Sequence, residues 1–502
     1  MTKSNKVSDD LRRPKESLSE VFRACEKSQD FVRHTLTTQY EQTFTYTFFE
    51  TMVDGQLFKE QILPVLQKGS FSTLRDVKSL IPIEDTEISA DPIEIEKRLI
   101  SGYIFIQFEK ADPYGLLLRA PSVERRAVTV PEVEYSVLGP KESFVENLDV
   151  NLHLLRRRLK IAELTVENIT VGSLTNTRVS VLYLSHIANS ENVNTVLQRI
   201  RDIDYDEIID SSYINQMIED NKHSPFPQLL DTERPDRVAS ELSRGKVAVL
   251  VDGSPTAITT PTRFIEFFSA FEDYYLSWHI ASIYRLIRLF AVLFSIFATS
   301  LYVAVLTYHT ELIPMDLLST LVISREDIPF PPIIEALFLE LTIDLLREAG
   351  ARLPSKVGQT IGIVGGIVIG TAAVEASLTS NILLIVVALS ALASFATPIY
   401  RIGNTIRLIR FPFLIFAQIW GIIGITILSM FMIIHLLTLK SIGRPYLEPI
   451  FPPRSNDLRD AFFRLPFSLQ FKRSTYVQPE HGKRFSIREL LNKNEDIDEH
   501  ID

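Results

Sequence analysis

Residues 289–308 read LFAVLFSIFATSLYVAVLTY, twenty consecutive residues without a charged side chain. A helix of this length spans the ~30 Å of hydrocarbon in a lipid bilayer. Arg285 and Arg288 directly precede it, which is typical of a span whose N-terminal end faces the cytoplasm. The stretch divides the chain into a polar N-terminal part and an apolar C-terminal part.

Three more apolar stretches follow, at 357–374, 381–395 and 411–437. A buried helix in a large soluble protein is the alternative for one such stretch, but four in succession favour a membrane domain. Between the first and the second lies 331–348, where two initial prolines and the following Gly350 predict a helix.

The number of crossings depends on that helix. Counted as a span, 331–348 gives five crossings and places the chain termini on opposite sides. Counted as an interfacial or re-entrant helix, it gives four and the same side, but it places Arg401, Arg407 and Arg410 outside, against the usual charge bias. Both alternatives remain open.

In the polar N-terminal part, segments with the pattern of a strand alternate with segments with the pattern of a helix. The segment 44–49 alternates in the manner of a strand, and further strands are predicted at 101–108, 115–120, 179–184 and 247–251. Apolar residues at helical spacing predict helices at 56–67, 150–161, 192–203 and 205–219. We therefore predict an α/β or α+β soluble region, with a break near Glu146, followed by an all-α polytopic membrane domain.

The predicted organisation has five parts: a flexible cytoplasmic arm (1–40), two soluble α/β subdomains (41–146 and 147–276), a membrane domain of four or five spans (277–440) and a basic cytoplasmic tail (441–502). The N-terminus lacks the apolar core of a signal peptide, which predicts a cytoplasmic start.

Composition excludes several function classes. A net charge of -10, from 62 acidic and 52 basic residues, argues against nucleic acid as a partner. A single cysteine, Cys25, excludes a disulfide scaffold and a thiolate metal cluster. The histidines are scattered, and HExxH, GxxxxGK[ST], GxGxxG and GxSxG patterns do not occur. We predict no enzymatic activity, no cofactor and no bound metal.

Charged residues recur on one face of the 331–348 helix. At 100° per residue, about a third of its circumference carries Glu340, Asp344, Arg347 and Glu348. Charges at the centre of a bilayer cost about 2.5–3.5 kcal/mol each, so they usually face protein or a water-filled path. Around the axis of a ring of identical subunits, such carboxylates would attract cations. We therefore predict an ion path along this face.

The alternative is a helix in the membrane interface, with its charges solvated and Arg347 neutralising Asp344 three residues earlier. Glu375, at the end of the next apolar stretch, is a further ion-path candidate, with a position at the headgroup boundary as its alternative.

Glycines recur every four residues through KVGQTIGIVGGIVIGTAAVEA, at Gly358, Gly362, Gly366 and Gly370. They share one slowly turning face, and a face without side chains allows another helix to approach closely. We predict helix packing here, within the chain or between subunits. A pore-lining helix whose small residues leave room for ions is the alternative.

Four long segments carry a family resemblance. The longest, 331–398, reads PPIIEALFLELTIDLLREAGARLPSKVGQTIGIVGGIVIGTAAVEASLTSNILLIVVALSALASFATP. The others, at 139–160, 224–239 and 247–275, read GPKESFVENLDVNLHLLRRRLK, SPFPQLLDTERPDRVA and VAVLVDGSPTAITTPTRFIEFFSAFEDYY. Together they resemble the A subunits of the GerA family of bacterial spore germination receptors. Motifs of this length and order are highly specific, and the resemblance extends from about Phe44 to Tyr446.

The resemblance implies an integral protein of the spore inner membrane whose soluble N-terminal region is cytoplasmic. It implies as partners a transporter-like B subunit, which binds the nutrient, and a lipoprotein C subunit, besides membrane lipids. It further implies a homo-oligomeric ring with a gated path for monovalent cations, which opens when nutrient is sensed and triggers germination. The alternatives are a non-conducting scaffold or signal-transmitting subunit, and a paralogue that amplifies germination. A secondary transporter is disfavoured by the large soluble half and the few spans.

Overall fold

The computed structural model of the chain describes residues 17–484, except 70, 72, 82, 84, 109–113, 123–130, 132–133, 135 and 354, and except the side chains of 355–364, 455, 456, 458 and 459.

The first domain is built on a five-stranded antiparallel sheet with the order β1-β2-β4-β5-β3. Its strands are β1 Phe31–Thr37, β2 Thr43–Phe49, β3 Thr86–Ser89, β4 Tyr103–Gln107 and β5 Gly115–Arg119. Its helices are α1 Leu18–Cys25, α2 (Gly55–Leu57, a π turn Phe58–Ile62, and Leu63–Lys68), α3 Leu74–Leu80 and α4 Pro92–Ile100. Helices α1 and α4 pack on the face that carries Phe105, whereas α2 and α3 pack on the face that carries Ile104. The central strands are therefore buried on both sides.

The second domain repeats this plan with the strand order β6-β7-β9-β10-β8, again antiparallel throughout. Its strands are β6 Leu164–Val171, β7 Thr177–Leu184, β8 Leu230–Thr232, β9 Val247–Val251 and β10 Ala257–Thr260. Its helices are α5 Leu148–Arg158, α6 Ser190–Arg201, α7 Ser211–Ile218 and α8 Pro235–Ser243. Helices α5 and α8 cover one face, and α6 and α7 cover the other. All five residues of β9 are buried, because the strand lies between these two helical layers.

A buried ion pair joins the two domains. Arg156 of α5 and Asp30, just before β1, are 1% and 4% exposed. The Arg156 Nε donates to the Asp30 Oδ2 at 2.6 Å, and the guanidinium lies 4.2 Å from the centre of the Phe49 ring. Such paired burial fixes the orientation of one sheet relative to the other.

The helical region follows the second domain. Its helices are α9 Trp278–Tyr308, α10 Met315–Ile323, α11 Pro332–Arg352, α12 Ser355–Glu375, α13 Asn381–Ser394 and α14 Tyr400–Thr438. Within the described residues, α9 and α14 are long and apolar enough to cross a membrane, and 365–375 and α13 are shorter apolar helical stretches.

Helix α9 begins against the second domain, where the Arg285 Nε lies 3.2 Å from the Asp273 Oδ2. Near its far end, the Tyr302 hydroxyl bonds at 3.1 Å to the Oγ of Ser380, the cap of α13. Further along α13, the Ser390 hydroxyl donates to the Ser295 carbonyl at 3.0 Å. Helix α13 therefore runs antiparallel to α9, back towards the second domain.

Helix α11 runs parallel to α13. Near its start, Glu335 accepts from the Ser380 N–H at 3.1 Å, and near its end Arg347 donates to the Ser394 hydroxyl at 3.2 Å. Helix α12 lies between them in the chain and runs in the opposite direction, since Gly365 lies beside Leu346.

Helix α14 reverses direction at Gly421, whose φ of 60° and ψ of -137° are not helical. Near its start, Thr405 donates to the Pro225 carbonyl at 2.6 Å, and near its end His435 bonds to the Ser224 hydroxyl at 2.9 Å. Both ends of α14 thus contact neighbouring residues of the second domain. Residues 400–420 and 422–438 are two antiparallel limbs of a helical hairpin.

The C-terminal segment, residues 440–484, packs on the second domain. It contains β11 Lys440–Ser441, β12 Arg444–Pro445, α15 Ser455–Phe462 and a short 3-10 turn at Phe467–Leu469. Three other 3-10 turns lie earlier in the described chain, at Phe264–Phe268, Phe271–Tyr274 and Thr310–Leu312. The buried Tyr446 hydroxyl donates to the Pro227 carbonyl at 2.5 Å, and Asn192 donates to the Val477 carbonyl at 3.0 Å.

The predicted fold class is confirmed, and the antiparallel sheets with flanking helices make the N-terminal region α+β. Two predicted boundaries differ. The arm proposed for 1–40 includes α1 and β1, because Val21, Phe22 and Cys25 are buried against the first sheet. The region proposed as a tail from residue 441 includes the C-terminal segment, which is part of the folded second domain.

Candidate functional site

Helix α11 carries the charged residues that the sequence places on one helical face, and the deepest of them is Glu340. This side chain is 1% exposed, at the centre of the helical region. Its Oε1 accepts from the Thr299 hydroxyl of α9 at 2.9 Å, and its Oε2 pairs with Arg410 of α14, which is 2% exposed. Glu340, predicted as an ion-path residue, joins three helices within one chain.

Asp344, Arg347 and Glu348 lie further along α11, where they border a cavity of about 560 Å³. This vestibule, as we call it, lies at the end of the helices nearest the second domain. It is also lined by Leu341, Leu345, Ala351, Ser394, Phe395, Thr397, Tyr400, Gly403, Asn404, Arg407, Leu408 and Phe411. The structure therefore brings three of the four residues of the predicted face to one polar cavity.

The charges on the vestibule side of α11 are paired along the helix. The Arg347 Nη1 lies 3.8 Å from the Asp344 Oδ1, and its guanidinium lies over the Phe395 ring, 4.2 Å from the ring centre. Glu348 is largely exposed and accepts from the Arg352 Nε at 2.9 Å. The Asp344–Arg347 pair, at a spacing of three residues, and a cavity beside the charged face of α11 are therefore both present. The side chains of Asp344, Arg347 and Glu348 are at least partly open to solvent.

Two further carboxylates lie at the other end of the helices. Glu335, which the sequence sets apart from the charged face, is fully buried and accepts from Arg325 at 2.8 Å as well as from the Ser380 N–H. Glu375, the other ion-path candidate, is exposed at the end of α12.

The glycine run packs partly inside the chain. A Cβ at Gly370 would lie 3.8 Å from Leu384 of α13, and one at the neighbouring Gly365 would lie 3.2 Å from Leu346 of α11. A Cβ at Gly366 would meet no atom within 4 Å, so this glycine faces open space. The surroundings of Gly358 and Gly362 lie outside the described side chains.

Arg410 is the functional candidate that sequence reasoning missed. In the sequence it is one of three arginines in a polar break between apolar stretches. Its guanidinium is instead buried against Glu340, 70 positions earlier. The signal in the sequence is Arg410 itself, a charged residue directly before a long apolar run. The sequence does not identify its partner, because the pairing with Glu340 depends on how α14 folds back.

The second domain and α14 meet at a charged junction. The Arg401 Nε lies 2.9 Å from the Asp231 Oδ2, and its Nη1 lies 4.0 Å from the Glu219 Oε1. Burial raises the pKa of Asp231 to about 6, and burial also raises the pKa of Glu219, although Arg401 lowers both. Arg401 is therefore the counter-charge to two partly buried carboxylates at this contact.

We expect Arg401→Gln to destabilise the purified chain by about 1–3 kcal/mol at about pH 8 and by less at about pH 5. Because the folded-state pKa of Asp231 is raised, the contribution of this carboxyl to stability is present at low pH and is lost as the pH rises through about 6. The raised pKa of Glu219 acts in the same direction. Because Arg401 lowers the pKa of both carboxyls, its removal enlarges the loss of stability at high pH. Thermal unfolding in detergent at both pH values measures it, with Arg401→Lys as the charge-retaining control. Equal destabilisation at both pH values would contradict the assignment.

No group of three or more histidine, cysteine, aspartate or glutamate side chains is placed to hold a metal ion within the described ranges. The vestibule is instead lined by two carboxylates, Asp344 and Glu348, and by two guanidinium groups, Arg347 and Arg407.

Comparison with known proteins agrees with the family resemblance of the motifs. The profile described as Bacillus/Clostridium GerA spore germination protein matches residues 18–476. The chain is 48% identical over 474 residues to spore germination protein GerQA of Bacillus cereus, covering 94% of this chain and 95% of that protein. It is 45% identical over 468 residues to spore germination protein GerIA of Bacillus cereus, covering 93% and 70%.

A solved structure also matches the N-terminal half. The N-terminal domain of the A subunit of the Bacillus megaterium spore germinant receptor GerK3 is 25% identical, covers 49% of this chain and 94% of its own, and superposes with a TM-score of 0.39. From the profile match and the two close relatives, the chain belongs to the GerA family of spore germination proteins.

Proposed function

We propose that this chain is the A subunit of a nutrient-sensing germinant receptor and that its helices form, in a homo-oligomeric ring, a gated path for monovalent cations across the spore inner membrane. The vestibule is the observation that carries this proposal, since it exposes carboxylates at the mouth of an apolar helical region. A transporter-like B subunit and a lipoprotein C subunit are the proposed partners, and no catalytic step is assigned to this chain.

The direction of the helices supports a six-pass topology. The helical hairpin of α14 contributes two segments, and α9, α11, α12 and α13 contribute four. An even number returns the chain to the side on which it began. Both the sheet domains and the C-terminal segment then lie on one side, which agrees with their direct packing.

Charge bias supports a cytoplasmic location for that side. The helix ends nearest the second domain carry Arg285, Arg288, Arg347, Arg352, Arg401, Arg407 and Arg410. The connection between α9 and α11, at the opposite end of the helices, carries one arginine, Arg325, and four acidic residues: Glu311, Asp316, Glu326 and Asp327. Positive charge concentrates on the cytoplasmic side of membrane proteins. The six-pass topology thus places Arg401, Arg407 and Arg410 on the cytoplasmic side.

Within this proposal, Asp344 and Glu348 attract cations at the cytoplasmic mouth, whereas Glu340 holds helices together. A carboxylate that is already bonded to a guanidinium and a hydroxyl has little capacity left for a passing ion. Asp344 and Glu348 are in contact with the cavity and are only partly neutralised by Arg347 and Arg352.

We expect the double variant Asp344→Asn/Glu348→Gln to slow nutrient-triggered release of monovalent cations from spores by about tenfold, the lower end of the effect of focused charge on local counter-ion concentration. The two substitutions keep the side-chain shape and remove the charge. Release is measured with an ion-selective electrode in spores that hold wild-type levels of the variant receptor. Glu207→Gln, an exposed carboxylate of the second domain, is the matched control. Unchanged release by the double variant would count against the vestibule as an ion path.

A non-conducting, signal-transmitting subunit is the second candidate function. The observation in its favour is that Arg401 and His435, at the two ends of α14, both contact residues 219–231 of the second domain. Motion of that domain would reach the hairpin whether or not ions pass through it. Ion flux through reconstituted complexes separates the two candidates.

A further inference from the structure

A second charged cavity lies between the second domain and the C-terminal segment, and we call it the tail cavity. Its volume is about 250 Å³. Six basic side chains line it: Arg244, Lys246, Arg263, Lys472, Arg473 and Arg484. Three acidic side chains line it: Glu266, Asp457 and Asp460. Positive charge is therefore in excess around a polar cavity in a chain that is acidic overall.

Three of the basic side chains have acidic partners: Lys246, Arg263 and also Arg244, whose Nη1 lies 3.7 Å from the Glu241 Oε1. The Lys246 Nζ lies 2.6 Å from Glu266 and 2.8 Å from Glu241, a glutamate behind the cavity wall. The Arg263 Nε donates to the Glu266 Oε1 at 2.9 Å. Asp457 already accepts from Thr475 and from the Ser474 hydroxyl. Glu266 and Asp457 are thus committed, whereas Asp460 makes only longer contacts, at 3.5 Å to the Tyr274 hydroxyl and 3.9 Å to Arg285. The six basic side chains of the lining still outnumber its three acids.

Arg244, Arg473 and Arg484 have capacity left. Arg473 donates only to backbone carbonyls, from its Nε to Ser243 at 2.9 Å and from its Nη1 to His481 at 2.9 Å. The Nε atoms of Arg244 and Arg484 are buried and have no hydrogen-bond partner among the described residues. A buried guanidinium donor without a partner is costly, so the hydrogen bonding of Arg244 and Arg484 is incomplete among the described residues.

Like charges also crowd one another here. Burial, and then the positive charge of Arg484, lower the pKa of the Arg473 guanidinium to about 10. Burial, and then the charge of Arg244, lower the pKa of Arg484 as well. An anion between these side chains would relieve the repulsion that both shifts report.

We propose that the tail cavity binds a small multivalent oxyanion that carries phosphate groups, with Arg244 and Arg484 as its main donors and Arg473 as a third. Guanidinium groups match the geometry of phosphate oxygens and donate to them in pairs. Because the lining residues come from both the second domain and the C-terminal segment, the anion bridges the two. Binding therefore stabilises the docked C-terminal segment. Through Asp460, which lies 3.9 Å from Arg285, that segment also contacts the start of α9.

The test is a calorimetric titration of the full-length chain in detergent with sodium diphosphate and, separately, inorganic phosphate, at an ionic strength held constant with sodium chloride. We expect saturable binding of diphosphate, weaker binding of phosphate, and a loss of affinity of about tenfold or more in Arg484→Gln. Arg244→Gln is expected to act in the same direction. Lys483→Gln, the same loss of charge at an exposed neighbouring position outside the cavity, is expected to bind as the wild type does. Thermal unfolding without ligand establishes that each variant is folded.

Three outcomes would overturn the proposal. The first is an absence of saturable binding by the wild type, and the second is equal affinity of Arg484→Gln and Lys483→Gln. The third is binding that occurs only after the C-terminal acids Glu495, Asp496, Asp498 and Glu499 are changed to amides, which would assign the cavity to carboxylates of the chain itself.

Discussion

Arg410→Met is expected to lower the stability of the purified, full-length chain by about 3–5 kcal/mol, which is the usual cost of breaking a buried ion pair. The change leaves the Glu340 carboxylate buried with only the Thr299 hydroxyl as a partner. The pair joins α11 to the first limb of α14, so its loss also loosens the packing of these helices. Thermal unfolding in detergent measures the shift, and the level of receptor in spores is expected to fall with it.

A double-mutant cycle tests the pairing itself. Replacing both Glu340 and Arg410 with leucine removes the charge together with its partner, so we expect this variant to be more stable than Arg410→Met alone. The matched control is Arg407→Met, an arginine one turn earlier that hydrogen-bonds to Asn404 and is partly exposed. If Arg410→Met destabilises the chain no more than Arg407→Met does, the pair has no structural role.

Gly421→Ala is expected to destabilise the chain by about 1–3 kcal/mol from backbone strain, with steric conflict in addition. The φ of 60° and ψ of -137° at this residue are readily adopted by glycine alone. A Cβ here would lie 3.0 Å from the His309 Nε2 and 3.1 Å from the Tyr308 ring. Because the reversal brings the two limbs together, the variant is expected to lose assembled receptor as well as stability.

Gly350→Ala is the control for that substitution. Gly350 lies within helix α11, and a Cβ there would meet no atom within 4 Å. Alanine in a helix is favoured over glycine by roughly 0.5–1 kcal/mol, so this variant is expected to be as stable as the wild type or more so. Equal thermal stability of Gly421→Ala and the wild type would mean that α14 does not turn back at Gly421.

The strands of the sheet domains were predicted well, because a strand is indicated by residues that lie within a few positions of one another in the sequence. Strand β9 reads VAVLV between turn residues, and its bounds, 247–251, agree with the prediction. Alternation of polar and apolar residues likewise predicted β2. The segment Leu18–Cys25 was harder to predict, because its few apolar residues lie within a charged region.

The helical hairpin of α14 could not be predicted, because its cause is not a local signal. Residues 411–437 contain no aspartate, glutamate, lysine or arginine, and a glycine within such a run is common in membrane helices. The reversal depends on the non-helical backbone of Gly421 beside Tyr308 and His309 at the end of α9. Without it, the sequence predicts either five crossings with the termini on opposite sides or four crossings with the arginine cluster outside. The partner of Glu340 cannot be located either.

The charged face of α11 was predicted as a set, but its members have different surroundings. Helical periodicity places Glu340, Asp344 and Glu348 on one side of the helix and cannot say how far each is from a neighbouring helix. Packing buries Glu340 against Arg410 and leaves the other two at the vestibule. Their proposed role in ion passage stays a prediction.

Cation flux tests the proposed function most directly. The full-length chain is purified and reconstituted with the proposed B and C partners into lipid vesicles loaded with potassium chloride. Potassium efflux is then measured after the nutrient is added. We predict nutrient-dependent efflux that is slowed in Asp344→Asn/Glu348→Gln and unchanged in Glu207→Gln. Complexes that assemble and bind the nutrient, but release no potassium, would contradict the proposed conduction path and favour the signal-transmitting function.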